Sequence, residues 1–241
     1  MTDTQERHDC GTHVTRDAAQ WSVPWWALVS ATAAPVLFIG GWSLAAALQP
    51  HGFNPVTQTI SALAAYGATD RWLMTAALYA VGICHLVTSL GLRVAATPGR
   101  WALGCGGAAS IVIASFPESA GGVVSIKHIT AVVIGALAMA LWPVLSRRRQ
   151  PGAPGPLHPL PAIGAALLIL ALNFWFLAEA HDNGAVGLAE RVDGIAQSLL
   201  PLLVAVAATC QFRRMHRRAR QNLGPAPRPA PGSARGEGRR I

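Results

Sequence analysis

Glu190, Asp193 and Gln197 recur at i, i+3 and i+7, a spacing that places two carboxyls and an amide on one face of a helix. Such a row can hold a ligand. With an imidazole alongside, it can also pass a proton to and from a substrate. Glu118 and His128 lie ten residues apart and supply a third carboxyl and an imidazole, and Asn173 adds a second amide. The candidate acid–base groups are therefore Glu118, His128 and Asp193. The candidate binding groups are Ser61, Asn173, Glu190, Arg191 and Gln197. Each residue also has a plainer role, as part of a hydrogen-bond and ion-pair network that fixes helix ends. Arg71 and Arg191 each follow an acid, Asp70 and Glu190, in the manner of capping pairs.

No metal site is expected. Cys10, Cys84, Cys105 and Cys210 form no C-x-x-C pair, and three of them sit in apolar stretches as small packing residues. A membrane haem needs facing histidines, and His85 is the only one deep in an apolar stretch. It is read as the donor or acceptor of an interhelical hydrogen bond. No phosphate-loop, nucleophile-elbow, H-E-x-x-H or dinucleotide-binding pattern occurs, so no cofactor is expected.

The elements that carry these groups are membrane helices. The 241 residues are 52% hydrophobic and 12% charged, against roughly 25% charged in soluble domains. Mean hydropathy is +0.37, yet the net charge is +8. A bilayer core about 30 Å thick takes ~20 apolar residues as helix, because lipid leaves no other partner for the backbone. Six stretches qualify: 25–48, 72–92, 101–117, 128–145, 160–178 and 192–212. Pro35 and Pro201 are expected to kink the first and last. The third, with Gly104, Gly106 and Gly107, is expected to be central and closely surrounded, and Ala131 and Gly135 to form a packing face in the fourth.

The reading is thus an all-α, polytopic transmembrane bundle of six spans with both termini cytoplasmic. With the N-terminus inside, the inner segments hold sixteen of the nineteen Lys and Arg residues, including Arg93, Arg100, the Arg147–Arg149 run and the tail from Arg213. The outer ones hold Arg71, Lys127 and Arg191. Trp25, Trp26, Trp101 and Trp142 are expected near the inner interface, Trp72 and Trp175 near the outer. The first twenty residues lack the apolar core of a signal peptide, so the first span is expected to act as its own insertion signal.

Three regions follow: a polar tail over 1–24, the helical domain over 25–212, and a basic disordered tail over 213–241 rich in Pro, Gly and Arg. That tail is read as a topology anchor on anionic lipid. Nucleic acid is not an expected partner. Membrane lipid is, and a homo-oligomer or a second membrane protein is compatible with the bundle. On the outer side, the long connection 49–71 has apolar residues at 56, 60 and 63 and reads as a short amphipathic surface helix. Under its Ser61 segment, Glu118, His128, Asn173, Asp193 and Gln197 would line an outward-open polar pocket.

Three stretches resemble a known family: Val56–Leu63 leading to Gly67–Trp72; Phe116-Pro117-Glu118 with Lys127-His128; and Gly187–Arg191. Together they look like the domain of unknown function 998 family, prokaryotic membrane proteins of about six spans, over roughly residues 25–212. The family pattern often has Asp after Phe-Pro and Gln before Arg, where this chain has Glu118 and Glu190. The resemblance implies the architecture and points to Ser61, Glu118, His128 and Arg191. It names no reaction. The leading functional expectation is a non-catalytic accessory bundle binding a lipid or small ligand on its outer side. An intramembrane enzyme for a lipid or isoprenoid-type substrate, with a carboxylate–histidine pair, is the alternative. A small secondary transporter is the second.

Overall fold

The computed structural model describes residues 22–50, 52–120, 123–150, 152–182 and 184–222. The expected tails therefore fall outside the described residues up to 21 and beyond 222. Among the described residues the protein is all-helical, without strands. The elements are α1 (Trp25–Ala47), α2 (Ile60–Ala64), α3 (Trp72–Gly91), α4 (Thr97–Ser115), α5 (Ile126–Leu145), a 3-10 turn (Gly155–Leu157), α6 (Pro159–Asp182) and α7 (Val186–Asn222).

Five helices, α1, α3, α5, α6 and α7, are long and apolar enough to cross a membrane. They expose large apolar side chains such as Val36, Ile83, Val133, Leu160 and Phe174, as surfaces in contact with lipid do. The remaining long helix, α4, has 19 residues and begins four residues before the expected span, with proline in its first turn. Thr97, Pro98, Gly99 and Arg100 are too polar to register as membrane sequence, but proline is well suited to a helix start. α7 has 37 residues. It starts six residues early and runs ten residues past 212, so residues 213–222 of the expected disordered tail continue the helix. Arginine is a good helix former and does not end a helix where the apolar run ends. Pro35 and Pro201 sit inside α1 and α7 without terminating them.

The six long helices form a closed ring. α1 packs on α3, α3 on α4, α4 on α5, α5 on α6 and α6 on α7, and α7 returns to α1. Small residues set the close crossings. Gly82 of α3 and Gly107 of α4 face each other so closely that a Cβ on either would lie 2.6–2.7 Å from the other's carbonyl oxygen. A Cβ at Gly135 would lie 3.1 Å from that of Ala109. α4 is nevertheless not central. Trp101, Cys105, Ala108 and Val112 give it an exposed stripe, because in a ring each helix keeps one face outward.

Two buried apolar clusters close the ends of the ring. Ile60, Leu63 and Ala64 of α2 pack with Phe38, Met74, Ala77 and Val81. The segment read as a surface helix is therefore a plug: only five residues are helical, capped by Thr59, whose hydroxyl accepts the Ala62 N–H at 3.1 Å. At the opposite end, Leu92, Val94, Leu103, Trp142, Leu157 and Ala208 form the second cluster. Trp142 is buried in this cluster, at the arginine-bearing end of the bundle. Arginines finish this end. Arg100 donates to the Ser89 and Leu90 carbonyls at 2.8 and 2.9 Å, and Arg148 to those of Val94 and Ala95 at 3.1 Å each. These carbonyls lie in the last turn of α3 and just beyond it, where backbone oxygens lack helical partners.

Candidate functional site

Between the two clusters lies a cavity of about 190 Å³. All six long helices and α2 contribute to its wall. Its apolar lining includes Phe38, Val81, Met139 and Phe176, and its polar lining is Ser61, His85, Ser110, Asn173, Glu190, Asp193, Gln197 and Ser198. Five candidate residues of the sequence, Ser61, Asn173, Glu190, Asp193 and Gln197, thus share one wall.

α7 organises the polar side. Gln197 donates its amide to Asp193 Oδ2 at 2.7 Å, one turn apart. Asp193 Oδ1 is buried and has no hydrogen-bond partner. His85, from α3 across the cavity, is 6% exposed, and its Nε2 is likewise without a partner. The expected interhelical bond of His85 is absent among the described residues. Asp193 and His85 both line the cavity, and a buried polar atom left without a partner is costly. Asn173 and Ser110 spend their donors on the backbone carbonyls of Ile169 and Leu78, each at 2.9 Å.

The α2 end is held shut from α7. Glu190 Oε2 accepts the Ile60 N–H at 2.5 Å, capping α2 while its carboxyl lines the cavity. Arg191 is buried. Its Nη1 donates to the Gln58 and Gly187 carbonyls at 2.9 and 2.8 Å. Its guanidinium stands 5.1 Å from the Trp42 ring centre and 6.0 Å from that of Phe53. Aromatic faces thus surround a cation whose Nε and Nη2 lack hydrogen bonds. Leu188 N–H donates to the Val56 carbonyl at 3.0 Å. Gly187 is required by close approach, because a Cβ there would run into the Gln58 and Pro55 carbonyl oxygens.

Glu118 and His128 form a separate cluster beside this one and do not line the cavity. The Glu118 carbonyl accepts the Tyr66 N–H at 2.9 Å. His128 is buried, with Nδ1 2.8 Å from the Phe116 carbonyl oxygen. Burial pushes the Glu118 carboxyl above its usual range, and the neighbouring His128 pulls it partly back. No cluster of three or more metal-ligating side chains occurs among the described residues.

The family described as Protein of unknown function (DUF998) matches residues 32–207. The chain belongs to this family. The match begins inside α1 and ends inside α7, so in this DUF998 protein it contains the whole cavity wall and the α2 closure. No curated protein and no solved structure matches. The three stretches that carried the resemblance form one hydrogen-bonded assembly at the α2 end: Gly187–Arg191 binds the 56–60 segment, Tyr66 binds Glu118, and Phe116 binds His128. In the DUF998 protein these motifs build the closure, while the deeper cavity depends on Asp193, Gln197 and His85. Sequence reasoning set His85 aside. The available signal was the cost of an imidazole in the middle of an apolar helix.

Proposed function

We propose that this protein crosses the cell membrane six times, α4 included, with both termini in the cytoplasm, and binds a small molecule or lipid fragment non-catalytically in its central cavity, reached from the outer side past α2. The orientation is supported by Arg93, Arg100 and the Arg147–Arg149 run, all at the end of the bundle opposite α2. The binding role rests on one observation: Asp193 and His85, each with a buried polar atom that has no partner among the described residues, both line a cavity to which all six long helices contribute. Ser61, Glu190 and Arg191 act in closure and ligand access, and Asn173 and Gln197 line the bound molecule. Glu118 and His128 support the α2 segment from behind.

The same pair of free atoms favours a second reading. A carboxyl and an imidazole on one cavity are the parts of an acid–base catalyst for a lipid or isoprenoid-type substrate. Extraction and mass spectrometry of the detergent-purified full chain separate the cases. Wild type is expected to carry a small molecule that an Ala136→Phe variant, filled at the cavity wall, does not. An identical extract from both would overturn the binding role. Chemical conversion of the carried molecule by wild type but not by His85→Ala would move the assignment to the enzyme.

A further inference from the structure

Among the described residues the cavity wall carries two carboxyl groups, Glu190 and Asp193, and no lysine or arginine. Arg191 lies close enough to Glu190 to oppose its charge, but its guanidinium packs against Trp42 and Phe53 and the Gln58 carbonyl, and it is not a lining residue. Asp193 is 9% exposed, and its one polar contact is the Gln197 amide. An ionised carboxylate at that depth is stable only with a compensating charge or full hydrogen bonding. Among the described residues the carboxyl receives one hydrogen bond, from Gln197, and no lysine or arginine contact. A cation, or at least a strong donor, beside the Asp193 carboxyl would supply what is missing.

The remainder of the lining gives the cation a body. Phe38 and Phe176 both border the cavity, and aromatic faces attract ammonium groups and stack on rings. An apolar cavity of about 150 Å³ holds benzene, so 190 Å³ accommodates a ring of that size with a short polar arm. His85 Nε2, unpartnered and buried, offers a second polar contact. A bare metal ion is a poor match, because no metal-ligating cluster occurs among the described residues.

We infer that the cavity takes a small organic cation, an amine with a compact apolar or aromatic body, whose ammonium group pairs with the Asp193 carboxylate. This rests on the binding role proposed above and specifies its ligand class. Acidic and phosphate-bearing molecules are excluded by the same lining, since they would add a negative charge beside two carboxyls.

The test compares benzylamine with benzyl alcohol, nearly identical in shape and different in charge. Both are titrated into the detergent-solubilised full chain by calorimetry near neutral pH. Benzylamine is expected to bind at least about tenfold more tightly than benzyl alcohol, the scale of a charge-assisted over a neutral hydrogen bond. Asp193→Asn, which keeps the shape and the Gln197 contact, is expected to erase that preference while leaving alcohol binding in place. Ala136→Phe is expected to abolish both. Equal binding of the two compounds, abolished by Ala136→Phe, would overturn the cation and leave the binding cavity standing. Benzylamine binding that survives both substitutions, or no binding of either compound, would overturn the cation and the cavity together.

Discussion

Glu190 and Ile60 are joined by a single hydrogen bond, carboxylate Oε2 to backbone N–H at 2.5 Å, across 130 residues of sequence. It links the first turns of the last helix to the short segment that closes the cavity. The bond does two jobs. It caps α2, and it turns a carboxyl that also borders the cavity away from free rotation.

Glu190→Ala removes that link, leaving the Ile60 N–H without its acceptor. The expected cost is ~1–3 kcal/mol, the scale of a lost charge-assisted bond plus an orphaned donor. Glu190→Gln, which retains an acceptor, should cost less. Thermal unfolding in detergent measures both, and equal melting of wild type and Glu190→Ala would remove the bond from any closing role. A cysteine at Ser198, in a background lacking the native cysteines, should react faster with a polar thiol reagent when Glu190 is also Ala.

Arg191→Lys keeps the charge and loses the planar face that lies against Trp42 and Phe53. Lysine presents a compact ammonium on a flexible stem. It is expected to destabilise nearly as much as Arg191→Ala, by ~2 kcal/mol or more, because a buried cation loses its aromatic surroundings in one case and two carbonyls lose their donor in the other. Wild-type stability in the lysine variant, read by the same melts, would show that charge alone suffices.

Gly187→Ala places a methyl group against the Gln58 and Pro55 carbonyl oxygens. The backbone must shift there, so the 55–60 segment is expected to lift, at a cost of roughly 1–3 kcal/mol. Hydrogen exchange should rise at Gln58 and Ile60, with little change at the arginine-bearing end. Unchanged exchange at Ile60 would mean that the contact is slack.

Glu118 makes stability depend on pH. Its folded-state carboxyl holds its proton to higher pH than the ordinary value of 4.5 because of burial, with His128 opposing. The folded state therefore binds more protons than the unfolded chain between those two values. Its contribution is present below the ordinary glutamate value and is lost as pH rises through the raised one. Melting temperature should fall across that window in wild type and fall less in Glu118→Gln. Parallel curves for the two proteins would contradict the assignment.

Topology is tested by reporters. Alkaline phosphatase fused after Arg149 is expected to be inactive, and the same enzyme inserted after Ala120 active. The reverse pattern would invert the orientation and place the α2 closure in the cytoplasm.

Much of the fold was legible, because the cost of an unpaired backbone in lipid leaves only helices for long apolar runs. The Glu190–Asp193–Gln197 face was legible for a related reason: helical spacing fixes which side chains share a side, and all three do border the cavity. The division of labour along that face was not. Whether Glu190 meets a backbone N–H or a ligand depends on where the 49–71 connection folds, which is a tertiary matter. His85 was missed because a membrane helix is apolar both toward its neighbours and toward lipid, so the sequence carries little signal for which face turns inward. Glu118 and His128 were expected on the cavity. Pro117 follows the end of α4, Glu118 is left in the connection, and His128 turns to the Phe116 carbonyl instead.

The closed ring also has a consequence for biosynthesis. Each long helix after α1 packs on the long helix before it, and only the return from α7 to α1 completes the circle. A chain threaded into the bilayer from its N-terminus builds five walls first. The acids and amide of the cavity's α7 side, Glu190, Asp193 and Gln197, enter last. Until then the cavity lacks its α7 side, and His85 borders a wider opening. The two acids of α7 reach the bundle only when there is already a partly sheltered place to put them.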